Sequence, residues 1–345
     1  MHMADALLSP AVGVTMWAGS VATIGYSSRK LKDNIDNKTI PLMGVMGAFI
    51  FAAMMINFTI PGTGSSGHIA GGIILTVILG PYAAFLALAS VLMVQALFFA
   101  DGGVLALGCN IWNMGFYPCF IGFPLIYKPI AGDGTIARRI SIAAIASAVI
   151  SLQLGAFSVV LETLLSGKSE LPFGTFVLLM QPIHLAIGIV EGIITAGIIN
   201  YVKKVRPEIL EASSFSRPLN AGISIKNVLI AFVILAVITG GALSWFASTH
   251  PDGLEWSIEK VTGKGKLVEA TQGIAPMLKE IQKKTAFLPD YNFKSAAREE
   301  PKGNEVPAWP GIQTGTSVAG IVGGAIVLIS ILLIGFGIRF FKNKE

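Results

Sequence analysis

Charge is scarce in this chain of 345 residues: Asp, Glu, Lys and Arg together make up 13% of it, against about 25% in ordinary soluble proteins. Hydrophobic residues supply 53% and the mean hydropathy is +0.70. That balance excludes a soluble globular domain and indicates a polytopic membrane protein. The net charge of +5 does not point to nucleic acid, because the basic residues sit in short loops between apolar spans, where they set orientation. Cysteine is nearly absent. Cys109 and Cys119 lie ten residues apart in one apolar stretch, a spacing that neither a zinc motif nor a disulfide framework requires, and both read as buried, inert thiols. Met1 to Pro10 has no basic leader and no small-residue cleavage site, so no signal peptide is expected. A bulky second residue such as His2 is also expected to protect Met1 from removal.

Long apolar runs are abundant. A bilayer core of about 30 Å needs roughly 20 apolar residues per helix, fewer where a segment packs inside protein. Candidate spans are 10–27, 41–60, 67–80, 82–100, 105–127, 138–163, 175–202, 226–248 and 315–338; the third is short and expected to be sheltered by its neighbours. The expected fold is an all-α membrane protein: a seven-helix transmembrane body, then two further transmembrane helices flanking a small external segment. The domains are 1–205, a charged cytoplasmic linker at 206–225, and an appendage at 226–345. Within 249–314 the pattern predicts short helices, one around 266–284, and partial disorder near 292–308.

Basic loops stay cytoplasmic. Arg29, Lys30, Lys32 and Lys38 follow span one, Lys128, Arg138 and Arg139 span five, Lys203, Lys204, Arg206, Arg217 and Lys226 span seven, and Arg339, Lys342 and Lys344 the last. This places the N-terminus, the 61–68 loop, the Asp101-Gly102-Gly103 turn and the 249–314 segment outside, with the C-terminus inside.

Only four histidines occur, and two fall on that outer face beside apolar spans: His2, and His68 at the end of the loop PGTGSSGH. The Met1 amine and the His2 amide nitrogen would close a five-membered ring on a metal, and His2 Nδ1 a six-membered one. One planar position remains for the His68 imidazole, a nitrogen set suited to nickel(II) or copper(II). The amide must lose its proton, so binding is expected to weaken in acid. The structural alternative is a frayed terminus and a hydrogen-bonded loop histidine.

Gly62 to Gly67 has phosphate-loop spacing, but His68-Ile69 follows where Lys and Ser/Thr are needed, so no nucleotide is expected on this chain. Gly64-Ser65-Ser66-Gly67 resembles the nucleophile motif of rhomboid proteases, and His184 with Gly188 and Gly192 resembles their base helix. A Ser66–His184 pair would make an intramembrane serine protease, although one extra residue rotates the histidine by about 100°. Gln181, His184 and Glu191 share a face of span seven, three and seven residues apart, and Glu162 ends span six. They would relay a metal or tie helices together. Gln95, Asp101, Asn110 and Asn113 cluster around the turn ALFFADGGVLALGCNIWNMG, where some would orient ligand imidazoles and others cap the loop. Gly188-x-x-x-Gly192 and Gly320-x-x-x-Gly324 suit close helix crossing, the latter docking the last span on the body.

The start MHMADALLSP, the stretch NFTIPGTGSSGHIAGGIILTVILGPYAAFLA and the run VLMVQALFFADGGVLALGCNIWNMG resemble the CbiM/NikM family over about 1–205. That family comprises the substrate-binding membrane subunits of energy-coupling-factor importers for cobalt and nickel. Pro251-Asp252-Gly253-Leu254-Glu255 looks like the PDGLE domain of NikN-type accessory subunits. The resemblance implies metal ligands at Met1, His2 and His68, with Asp5, Ser66, Gln95, Asn110 and Asn113 as candidate supporting residues. It also implies a transmembrane coupling subunit and ABC-type ATPase subunits as partners, in a prokaryotic inner membrane. Nickel(II) is favoured over cobalt(II) as the transported substrate, because a planar nitrogen set suits it. A passive metal channel is the other alternative and predicts transport by this chain alone, without ATP.

Overall fold

The computed structural model describes residues 1–168, 170–214, 217, 222, 224–265, 267, 273–294 and 310–342. Ser9 accepts a hydrogen bond from the Val12 N–H and Pro10 occupies the first turn of α1 (Pro10–Asn34), the pairing that starts helices. Next come α2 (Thr39–Met54), the hairpin β1 (Phe58–Ile60) and β2 (Ser65–Gly67), α3 (Gly72–Leu79) and α4 (Pro81–Phe99). Gly80, at φ +80°, ends α3, and Pro81 opens α4 at once. A continuous helix then runs through α5 (Leu107–Ile111), a π-helical stretch (Trp112–Tyr127) and α6 (Lys128–Ala131). The wide stretch contains Pro118 and Pro124, which have no N–H to give to a regular ladder. The body closes with α7 (Ala137–Leu165) and α8 (Phe173–Val205).

By length and composition four helices are able to cross a bilayer: Pro81–Phe99, Ala137–Leu165, Phe173–Val205 and Thr314–Lys342. Helix α2 is apolar but shorter, and nearly all of it is buried, as befits a helix that is hydrophobic all round. The chain is an all-α membrane protein whose described strands are limited to the one hairpin.

Two apolar runs are helical over less of their length than expected, one ending early and the next starting late. The helix expected through residue 60 stops at Met54, and Phe58, Thr59 and Ile60 pair with Gly67, Ser66 and Ser65. The run expected from residue 67 becomes helical only at Gly72. At these points the backbone hydrogen-bonds across a hairpin instead, which Gly62 and Gly64, both at φ +77°, allow to turn.

After Val205 come α9 (Pro207–Ser214), α10 (Lys226–Gly241), α11 (Gly253–Thr262), α12 (Ile274–Thr285) and α13 (Thr314–Lys342). The segment read as a linker therefore begins as a helix, packed on α3 with Ile209 buried. The helix expected around 266–284 is α12, but residues 266 and 268–272 lie outside the described residues, as do 295–309, where disorder was expected, and much of 215–223.

Small residues set the close crossings. A methyl on Gly192 would stand 2.5 Å from the Ile145 Cα, and one on Gly188 2.9 Å from the Val149 Cα, so α8 lies against α7 through these two positions. Helix α13 docks on the body, with Gly323 against Phe51 and Gly335 against Ile40. At one end of the bundle the N-terminal segment, the hairpin, the 100–103 turn and the segment after α10 meet. Elsewhere, at the basic helix ends, Lys128 Nζ donates to the Ser214 carbonyl and Lys342 Nζ to that of Asp33.

Candidate metal centre

The first eight residues fold back into the body. Met1, Met3, Leu7 and Leu8 are buried in its core, and the polar backbone they bring with them is matched by specific partners. The Met3 N–H donates to Asn110 Oδ1 at 2.8 Å and its carbonyl accepts from Gly103 N at 2.9 Å. Asp5 Oδ1 accepts from Ala106 N at 3.0 Å. A side chain on Gly103 would collide with the Asp5 carboxyl, and Gly102 sits at φ +79° beside His2. The turn must therefore be glycine for the terminus to lie here.

That fit brings His2 over His68, their ring centroids 5.1 Å apart and their planes inclined by 24°. His68 Nδ1 lies 3.1 Å from the Ile69 carbonyl. A carbonyl only accepts, so Nδ1 carries the hydrogen and Nε2 keeps its lone pair. Glu191 fixes the following backbone, its carboxylate accepting from Ala70 N at 2.7 Å and Gly71 N at 3.1 Å. On the loop's other flank Gly67 touches Ile187; a methyl there would stand 2.4 Å from that side chain.

His2 faces two acceptors, with Nε2 3.2 Å from Gln95 Oε1 and Nδ1 3.4 Å from Asp101 Oδ1. Among the described residues its own amide N–H has no hydrogen-bond acceptor. Burial lowers the His2 pKa against the opposing pull of Asp101. Burial, then the neighbouring Met1 amine and His2, pushes His68 down to about 3. Both imidazoles are thus neutral donors at physiological pH. No group of three or more His, Cys, Asp or Glu side chains is placed to hold a metal among the described residues. An ion here must draw donors from the main chain.

The appendage completes the surroundings. Asp252 caps α11 through Oδ1, accepting from Leu254 N and Glu255 N at 2.8 Å each, while Oδ2 stands 3.6 Å from the Met1 amine. Burial opposes its ionisation, but the Met1 ammonium and the Glu255 N–H hold its pKa below the usual carboxylate range. Above the histidines lies a vestibule of about 760 Å³ lined by His2, His68, Asp101, His250, Asp252 and Tyr291 among others. At about 30 Å³ per water a hydrated ion fits easily. Beneath, between Met1, His68, His184 and Asp252, a cavity of only about 10 Å³ remains.

The residues named from sequence divide clearly. Gln95 touches His2, Asn110 holds the terminal segment through Met3, and Asp5 secures that segment to the 104–107 turn. Asn113 donates to Glu162 Oε2 at 2.8 Å and reaches neither imidazole by a hydrogen bond. Ser66 docks the appendage: its hydroxyl lies 2.8 Å from the His250 carbonyl and 3.2 Å from that of Pro251, and its N–H donates to Pro251. The Ser66 hydroxyl is taken by the His250 and Pro251 carbonyls, and among the described residues no hydrogen bond joins it to His184, whose Nδ1 lies 2.8 Å from the Met180 carbonyl, so the pair a serine protease requires is not formed. Gln181 and Gln153 exchange bonds with each other's carbonyls and tie α8 to α7. Asp252, Tyr291 and the loop-fixing role of Glu191 escaped the sequence reading. Glu191 was marked by its charge inside an apolar span, and Asp252 by its motif alone.

These features define a class: a multi-pass membrane protein with a vestibule ending on the terminal amine, two neutral imidazoles and carboxylates, as befits metal transport. Residues 2–209 match the CbiM family, the cobalt uptake substrate-specific transmembrane region, and 226–340 match the PDGLE domain. The chain belongs to the CbiM family, with a PDGLE domain appended, and is a nickel/cobalt transport component. It is 32% identical over 330 residues to a protein of Archaeoglobus fulgidus designated a fused nickel transport protein NikMN, covering 95% of this chain and 96% of that one. It is 30% identical over 302 residues to the fused nickel transport protein NikMN of Rhodobacter capsulatus, covering 80% and 82%. A crystal structure of a transition metal transporter superimposes with a TM-score of 0.54 at 30% identity, covering 63% of this chain and 98% of that one.

Proposed function

We propose that this chain is the substrate-capturing subunit of an ATP-driven importer of a divalent transition metal, nickel(II) in preference to cobalt(II). The ion enters the vestibule from outside and sheds water. It is then held in a plane by the Met1 amine, the deprotonated His2 amide, His2 Nδ1 and His68 Nε2. Residues 1–205 bind the metal, 206–225 link, and 226–345 form an accessory domain assisting loading. The N-terminus lies outside and the C-terminus in the cytoplasm of a prokaryotic inner membrane. A transmembrane coupling subunit and ABC-type ATPases supply the energy.

The observation that carries this reading is the meeting of the terminal amine, an amide without an acceptor and two neutral imidazoles at the foot of one vestibule. Nitrogen donors of this kind hold nickel and copper more tightly than zinc. The terminal segment is also a plug, buried in the body with only roughly 10 Å³ of cavity below it, which favours an energised carrier over a passive channel. Vesicles containing this chain alone should bind nickel but not accumulate it, whereas vesicles that also hold coupling and ATPase subunits should accumulate it when ATP is supplied. Accumulation by the chain alone would favour the channel.

Binding should also be acid-sensitive. Two protons leave as the ion binds, one from the Met1 ammonium and one from the His2 amide, so apparent affinity should fall well over tenfold per unit drop in pH, approaching about a hundredfold at the acid end. The imidazoles, already neutral, add nothing near neutrality. Nickel competition titrations between pH 8 and pH 6 measure the slope, and a fall of no more than about tenfold per unit, which the Met1 ammonium alone would give, would remove the amide from the ligand set.

A further inference from the structure

The appended domain contributes more than a cover. Tyr291 projects from the turn Pro289–Tyr291 into the body, where its ring stacks on Phe99, with centroids 5.1 Å apart at 19°. Its hydroxyl donates to Asp101 Oδ2 at 2.5 Å and accepts from Gln95 Nε2 at 3.1 Å. Asp290 and Tyr291 are consecutive non-glycine residues at positive φ, +52° and +58°, a strained conformation that persists where the surroundings enforce it.

A chain of donors and acceptors follows. A carboxylate only accepts, so the phenolic hydrogen points at Asp101. The phenolic oxygen then receives the Gln95 amide nitrogen, which turns Gln95 Oε1 toward His2. Two acceptors cannot bond, so His2 Nε2, 3.2 Å from that oxygen, must carry the imidazole hydrogen. A neutral ring has one such hydrogen. Nδ1 is therefore left bare, facing the Asp101 carboxylate at 3.4 Å, a negative charge that favours a cation beside it. Burial, reinforced by Asp101, raises the Tyr291 pKa well above its usual value, so the phenol keeps its hydrogen.

We propose that Tyr291 of the appended domain is a positioning residue that, through Gln95, sets the His2 tautomer and presents Nδ1 to the incoming metal. The accessory domain then acts on the metal centre by completing its hydrogen-bond chain, and a body without it would carry a mixture of His2 tautomers. This rests on the reading of His2 as a ligand, yet the tautomer is measurable without any metal.

Tyr291→Phe keeps the ring and its stack on Phe99 and removes only the hydroxyl. In metal-free protein carrying ¹⁵N-labelled histidine, the intact chain should show His2 with its hydrogen on Nε2, and Tyr291→Phe a mixture of both forms. Nickel affinity should fall ten- to a hundredfold, the usual effect of losing a residue that orients a ligand. Gln95→Glu supplies the internal control. A carboxylate presents an acceptor whichever way it turns, so in that background Tyr291→Phe should change affinity less than twofold, a coupling that a purely structural tyrosine would not produce. An unchanged tautomer in Tyr291→Phe, or an equal loss in both backgrounds, would overturn the proposal. If nickel binding is indifferent to His2→Ala while the tautomer still shifts, the ligand reading fails instead.

Discussion

His2→Ala should lower nickel affinity at least a thousandfold, about 4 kcal/mol, with little loss of fold. The substitution keeps the amine and amide but removes the six-membered ring and the donor that completes the plane. Three nitrogens on one dipeptide are ordered once, and a donor lost from such a set cannot be replaced by water of comparable strength. The terminal segment should stay in place, since it is anchored by the buried Met3 side chain and by Asn110 and Gly103 on the Met3 backbone. The hydrogen bond to Gln95 Oε1, worth about 1 kcal/mol, is lost together with the stack on His68 and the approach to Asp101. Chelator competition with a thermal melt on the same sample separates the two effects. Affinity within fivefold of the parent would show that the ion binds elsewhere.

Glu191→Ala should act in the opposite proportion, destabilising the body by about 3 kcal/mol or more and weakening metal binding through His68. The Glu191 carboxylate is buried and takes the N–H groups of Ala70 and Gly71 at the entry to α3, where a negative charge is also favoured by the helix end. Removing it strands two buried donors at about 1–3 kcal/mol each. The chain that relaxes to satisfy them is the one carrying His68. Glu191→Gln, which still offers one acceptor, should fall between. The melting temperature and nickel affinity of the two variants should therefore decline together. A stable Glu191→Ala protein with unaltered affinity would separate Glu191 from the loop.

Much of this could be read from residue order. The scarcity of charge gave the membrane class, and apolar runs gave the helices, because an amino-acid run of that hydropathy has few other places to lie. Met1, His2 and His68 could be read as candidate donors because each offers a nitrogen beside a span on one predicted face, and the structure brings the three together. The hairpin at 58–67 was missed: apolar Phe58 and Ile60 read equally well as the end of a buried helix, and only their pairing with Ser65–Gly67 decides. The docking contact of Ser66 was missed for a related reason. A hydroxyl in a glycine loop looks like a nucleophile until the carbonyls of His250 and Pro251, nearly two hundred residues away, arrive to accept from it. Asp252 is marked only by its motif, which does not tell its partner, and Tyr291 carries no local signal at all. Those roles exist only because α13 and the preceding segment fold back on the body, a long-range contact that no periodicity announces.

The central claim, that the chain's own first residues hold the ion, is tested most directly by elemental analysis of two purified proteins differing only at the front. In one, Met1 is the first residue; in the other, a short Gly-Ser extension precedes it, turning the amine into an amide and pushing added chain into the packed segment. The first should carry about one nickel or cobalt per chain after loading and desalting, and the second less than a tenth of that. Equal metal in both would contradict the terminal chelate.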